Sequence, residues 1–221
     1  MYRVLAALFG VFAAMPAHAL SVTPITIEMA AAGKTSRATV TITNPSSNAT
    51  AVEPSFSRVE ISETGASNQT AGGDENFLIM PMQALIPPGA SQTFRLQWVG
   101  PPDLPQSESY FVTFNQLPVK GLAEHTGITL LTSFSVAVNV APSFIRPEIE
   151  LIDIQHRQDG TAVTVQNPTA AHALLKHAVI TVFADGAAHT VDASDVERMY
   201  GAGLVQPWKR RTFVLPFPFP T

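Results

Sequence analysis

From Gly127 to Ala141 the chain reads GITLLTSFSVAVNVA, fifteen residues with no charge, no proline and no internal glycine. Its even positions are Ile128, Leu130, Thr132, Phe134, Val136, Val138 and Val140, and its odd ones run from Thr129 to Ala141. Alternation of period two puts one set on each face of a strand, and at ~3.3 Å per residue the run spans roughly 50 Å. A strand usually holds ~5–6 residues, so one sandwich can hardly cover all of it. Val136 to Val140 suit the strand's own core. For the first half two readings stay open. It overhangs and shows Ile128, Leu130 and Phe134 to something else, or the strand is shorter and Ile128 and Leu130 sit in a hairpin. Full exposure would cost ~1.5–3 kcal/mol per large side chain and leave an edge that invites aggregation.

The chain also repeats itself. Val40-Thr-Ile-Thr-Asn44-Pro45-Ser46 returns as Val163-Thr-Val-Gln-Asn167-Pro168-Thr169, an offset of 123. Pro88-Gly89 leading into Thr93-Phe94-Arg95-Leu96 returns as Pro207-Trp208 leading into Thr212-Phe213-Val214-Leu215, an offset of 119. Two matches in one order imply two copies of one domain type, with strands ending at Asn-Pro because proline gives a ladder no N–H. Strand patterns cover 21–28, 36–43, 50–61, 77–84, 91–99, 109–118 and 127–141, then 148–156, 161–166, 174–184, 187–192 and 210–215. Asp159-Gly160 and Asp185-Gly186 read as hairpin turns. Ala193–Tyr200 has room for two helical turns, and the polar segment 62–76 reads as a long surface loop. Seven strands, an elbow at Pro142–Pro147 and about five more describe an all-β chain of two immunoglobulin-like β-sandwich domains at an angle.

Composition narrows the function. With no cysteine, thiol catalysis, disulfides and thiolate zinc sites are excluded. No basic cluster exceeds Lys209-Arg210-Arg211 and the formal net charge is −4, so no nucleic-acid partner is expected. None of the six histidines shows a metal-binding spacing, and His172 and His177 read as solvated turn residues. Asp74 and Glu75 read as solvated loop acids, and the sequons at Asn48 and Asn68 as turns. No nucleotide or nucleophile motif is present, so no catalytic residue, cofactor or metal is expected. At the start, Arg3, the apolar run Val4–Met15 and Ala17-His18-Ala19 form a signal peptide over 1–19. The apolar run is shorter than the ~20 residues a spanning helix needs, so an exported protein that is not membrane-embedded is expected.

Several segments together resemble one family. They are Val40–Asn44; Pro87-Pro-Gly89 running into Phe94-Arg95-Leu96; Leu104-Pro105-Gln106-Ser107-Glu108-Ser109 running into Phe114-Asn115-Gln116-Leu117-Pro118; and the 127–141 strand ending at Pro142. The combination is similar to the periplasmic chaperones of the chaperone–usher pilus pathways, over Leu20–Phe144 and more loosely to the end. The resemblance implies an N-terminal immunoglobulin-like domain over 20–142 and a second over 143–221. It implies a chaperone that lends its seventh strand to an incomplete pilus (fimbrial) subunit and delivers the subunit to an outer-membrane usher, a form of strand addition. Ile128, Leu130, Thr132 and Phe134 become the donated side chains, and 119–126 a loop that orders with them.

The resemblance has departures. Family members hold the subunit's terminal carboxylate with an arginine on the first strand and a lysine on the seventh. Here no basic residue lies between Leu20 and Gly33 or between Gly121 and Ile145, and Ala137 aligns with that lysine. This fits a divergent branch, archaic or alternative in type. Arg95 is the first substitute anchor, with Arg37 and Lys120 behind it. The family's interdomain ionic contact includes the glutamate matching Glu108, but its arginine is replaced by Ala141. Arg146 can reach back to Glu108 if the elbow folds toward it; otherwise both are solvated charges. The competing class is a secreted adhesive or structural protein of tandem immunoglobulin-like domains.

Overall fold

The computed structural model describes residues 20–118, 131–157, 160–177, 180–184, 187–191 and 193–215. Its first strands are β1 (Ser21–Thr23), β2 (Thr26–Ala30), β3 (Arg37–Thr43), β4 (Thr50–Ile61) and β5 (Ser67–Ala71). They are followed by β6 (Phe77–Met80), β7 (Ala84–Ile86), β8 (Ser91–Trp98), β9 (Glu108–Leu117) and β10 (Ser133–Ala141). One sheet runs β1-β3-β8-β6 and the other β2-β10-β9-β4-β5, with β7 also on β4. Alternation along β8 and β9 turns Phe94, Leu96 and Trp98 toward Tyr110, Val112 and Phe114, and these six belong to one buried cluster drawn from both sheets. Phe94 and Phe114 meet with ring centroids 5.0 Å apart. This is a sandwich.

Where the observed strands differ from the sequence patterns, proline and turn chemistry give the reason. The 21–28 run is cut at Pro24, which cannot donate to a ladder. Its first part pairs antiparallel with β3, and its second crosses to the other sheet and pairs parallel with β10. The 77–84 run stops before Pro81. Segment 62–76 is not one loop: its middle is β5, hairpinned on β4, and Asn68 lies in that strand.

The later described elements are β11 (Glu150–Arg157), β12 (Gly160–Gln166), β13 (Ala173–Leu174), β14 (Ile180–Ala184), β15 (Ala187–Val191), α1 (Ala193–Tyr200), β16 (Leu204–Val205) and β17 (Arg210–Leu215). A three-stranded sheet runs β11-β12-β17, and two short pairs, β13-β16 and β14-β15, accompany it. Val163, Val165, Leu175, Val205, Phe213 and Leu215 are buried together, separate from the first cluster. The 174–184 run is broken by a 3-10 turn at Leu175–His177. The residues joining β11 to β12 and β14 to β15 lie outside the described ones, as does the segment 1–19.

Candidate partner-binding strand and the junction between the cores

β10 is built to face two environments. Val136, Val138 and Val140 are fully buried, while Ser133 and Ser135 point outward and bond to Asn115 and Thr113 of β9. Its pairing with β9 covers Ser133 to Val140, and the Thr132 carbonyl extends it by accepting from the Gln116 N–H at 3.1 Å. On the other edge β2 covers only Ala137 to Ala141, and the Ala137 N–H donates to the Ile25 carbonyl. Among the described residues no strand lies along that edge from Ser133 to Val136. Phe134, on the same face as the valines, is half-buried at the rim. Among the described residues β10 starts at Ser133, later than the 127–141 alternation. Ile128 and Leu130, the segment 119–126 and Lys120 lie outside the described residues.

The two other anchor candidates lie elsewhere. Arg95 alternates with Phe94 and Leu96, so with those two in the core it points out of the β1-β3-β8-β6 sheet. Arg37 is also exposed, and both line a groove of about 460 Å³ with Leu78 and Met80. That sheet does not contain β10.

Glu108 has a different partner from the one expected. Arg58 Nη1 donates to Glu108 Oε2 at 2.8 Å, and its Nη2 donates to Glu75 at 3.2 Å. Arg58 is on β4, where it stands opposite Tyr110 at the end of the pairing with β9, and its guanidinium lies over the Tyr110 ring. Tyr110 donates to the same Glu108 oxygen and accepts from Asn76. Burial first, and then the Glu108 carboxylate, push the Tyr110 phenol far above its ordinary range. Arg146 is exposed, with no ion pair among the described residues. The local hairpin β4–β5 supplies the counter-charge that the elbow was expected to supply. Glu75 is accordingly paired, not merely solvated.

The cores are joined by other residues. Gln206 accepts from the Ile61 N–H and donates to the Val59 carbonyl, both at 2.8 Å. Its amide thus acts as one rung of a strand on β4, just past the end of the β9 pairing. The Ser107 N–H donates to Ala170, and Ser107 Oγ accepts from the His172 N–H. His172 is buried, contrary to a solvated turn, and its Nε2 meets Glu28 Oε2, while Asn139 holds the other Glu28 oxygen. Arg211 faces the second core, its guanidinium 5.1 Å from the Phe213 ring centre, and burial lowers its pKa. Nothing in the sequence marked Glu28, His172 or Arg211. Gln206 had a faint signal: it stands where the first copy of the repeat has Pro87.

No family model and no curated protein matches this sequence. Solved structures do. A class 5 fimbriae chaperone, CfaA, aligns with a TM-score of 0.59 at 15% identity over 91% of this chain and 88% of its own. The structure of the Salmonella enterica SafA pilin in complex with the SafB chaperone aligns at 0.56, with 14% identity over 92% of this chain and 86% of the other. The archaic Csu chaperone–tip subunit complex of Acinetobacter baumannii aligns at 0.53, with 12% identity over 89% and 90%. In fold, two immunoglobulin-like domains in a nearly all-β chain, this protein is similar to the chaperones of fimbrial chaperone–usher pathways.

Proposed function

We propose that the chain is a non-enzymatic periplasmic chaperone that stabilises fimbrial subunits by donor-strand complementation and delivers them to an outer-membrane usher. The observation that carries this reading is the one-sided pairing of β10. Among the described residues its backbone between Ser133 and Val136 is paired with β9 on one edge only, and the alternation continues upstream in the sequence through Thr132, Leu130 and Ile128. A partner strand added on that edge would gain main-chain hydrogen bonds while Ile128, Leu130, Thr132 and Phe134 entered its core. The similar folds found in a pilin–chaperone complex and a chaperone–tip subunit complex support a subunit as the partner. In this reading 1–19 is removed on export, and 20–142 and 143–221 are the two domains. With Arg95 and Arg37 on the other sheet, Lys120 is the remaining one of the three sequence-derived anchors.

The test is purification of the tagged chain from periplasm. One smaller protein should co-elute one-to-one, and Leu130→Asp with Phe134→Asp should abolish the co-elution, because a carboxylate cannot enter an apolar groove without partners. The single variant Leu130→Asp should leave the isolated chain folded. If it unfolds the chain instead, Leu130 belongs to the protein's own core and the donor reading fails. A chain that elutes alone favours the tandem adhesive protein.

A further inference from the structure

The sheet β11-β12-β17 has two outer edges, and they differ. The edge of β17 is met by the first core, because the Thr212 N–H donates to the Glu63 carbonyl at 2.8 Å. Along the outer edge of β11 there is no strand and no backbone hydrogen bond among the described residues. Leu151, Ile152 and Ile154 of this strand are 59%, 41% and 41% exposed. An open edge that carries apolar side chains is a template for a further strand.

The strand itself limits what can pair there. Its register on β12 slips between Leu151 and Asp153, a bulge that ends regular pairing, and runs unbroken from Asp153 to Arg157. Arg157 faces Gly160 across a two-residue connection, and the residues that close such a hairpin exchange hydrogen bonds. Asp153, Gln155 and Arg157 thus turn their N–H and C=O groups to β12, and Ile154 and His156 turn theirs outward. Facing residues of an antiparallel pair share one hydrogen-bonding state, so an added strand must set outward residues against outward residues.

A second β11, related by a two-fold axis, meets this condition in a register that the charges select. With Gln155 on the axis, Ile154 faces His156 of the second copy and Asp153 faces Arg157 of the second copy. With the axis on Ile154, Asp153 would face Gln155 and Arg157 would face Leu151. Asp153 accepts from Gln155 at 2.7 Å, and Arg157 has no partner among the described residues; both are exposed. Opposite charges directly across a strand pair are favourable and like charges unfavourable. We propose that β11 is a self-association edge, through which two copies of this chain pair antiparallel and join their three-stranded sheets into one, with Asp153 and Arg157 matched twice. Regular pairing over 153–157 makes an interface below about 1,200 Å², so the dimer is weak and forms at high protein concentration. β11 and β10 belong to different sheets, so the pairing leaves the β10 edge open and does not depend on the chaperone reading.

The test is sedimentation equilibrium of the purified chain from about 10 μM to about 1 mM. The wild type should show a monomer–dimer equilibrium that shifts toward monomer in high salt. Asp153→Arg and Arg157→Asp should each weaken the dimer at least about tenfold, since each sets like charges opposite one another twice. An equimolar mixture of the two variants should dimerise again, because each copy then meets its opposite at both positions. If a variant does not fold, the wild-type Ile154 amide decides: its hydrogen exchange should slow as the concentration rises. A chain that stays monomeric throughout overturns the proposal, as does a mixture that stays monomeric. A dimer that survives either single reversal, or one that is lost on Phe134→Asp, places the contact on another surface and overturns it too.

Discussion

Asn167 repeats in the second core the bonds that Asn44 makes in the first. The Asn44 amide donates to the carbonyls of Asn48 and Ile86, and the Asn167 amide to those of Ala171 and Val205. Their Oδ1 atoms accept from the N–H and hydroxyl of Ser46 and of Thr169, and their own N–H groups donate to Ala90 and Lys209. The repeated Asn-Pro is therefore more than a strand stop: a buried side chain ties the end of one strand to the turn that opens another. Even the turn is copied, since Trp208 adopts φ 62° where Gly89 has 69°.

Asn44→Ala and Asn167→Ala should each cost about 1–3 kcal/mol, because both residues are buried and each change takes an amide donor from two carbonyls, of which those of Asn48 and Ala171 keep the hydroxyl of Ser46 and of Thr169. Urea unfolding followed separately for the two cores is the measurement. Asn44→Ala should weaken chiefly the first and Asn167→Ala the second.

The Glu108 cluster makes an electrostatic prediction. A double-mutant cycle on Arg58 and Glu108 should give a coupling of ~0.2–1 kcal/mol, the range of a partly exposed pair, and it should shrink in high salt. The same cycle on Glu108 and Arg146 should give zero. Coupling in the second pair and none in the first would restore the elbow contact.

Tyr110 makes a pH prediction. Its phenol is held neutral in the folded chain above the ordinary value of about 10, so the unfolded chain loses that proton first as the pH rises. Fewer protons on the unfolded form mean that stability falls with rising pH beyond about 10. Tyr110→Phe should be less stable near neutrality, having lost the bonds to Glu108 and Asn76, but should show a flatter alkaline decline. Unfolding curves between pH 8 and 12 test both halves.

Gln206→Ala should leave the Val59 carbonyl and the Ile61 N–H without their partner, at about 1–3 kcal/mol for each group that water does not reach. Hydrogen exchange at Ile61 should accelerate selectively. Unchanged protection there would mean that the amide is not the bond that closes the end of β4.

The sequence by itself determined the all-β class, the two copies and most strand positions, because alternation and Asn-Pro punctuation are local properties of the chain. The valines of β10 and the core faces of β8 and β9 were legible for the same reason. What the tertiary structure alone decided are the pairings between residues far apart. Glu108 meets Arg58 because β9 and β4 lie side by side in one sheet, and Glu75 reaches the same guanidinium from the turn that follows β5. His172 is buried because Glu28 and Ser107 of the first core meet it, and Arg211 faces a cavity because residues about a hundred positions away wall it. Arg95 looked like an anchor by its neighbours in sequence, yet which outer face it occupies depends on the order of strands in the two sheets. Periodicity assigns a side chain to a face of its strand, whereas the partner across that face is set only when the sheets and the two cores have packed.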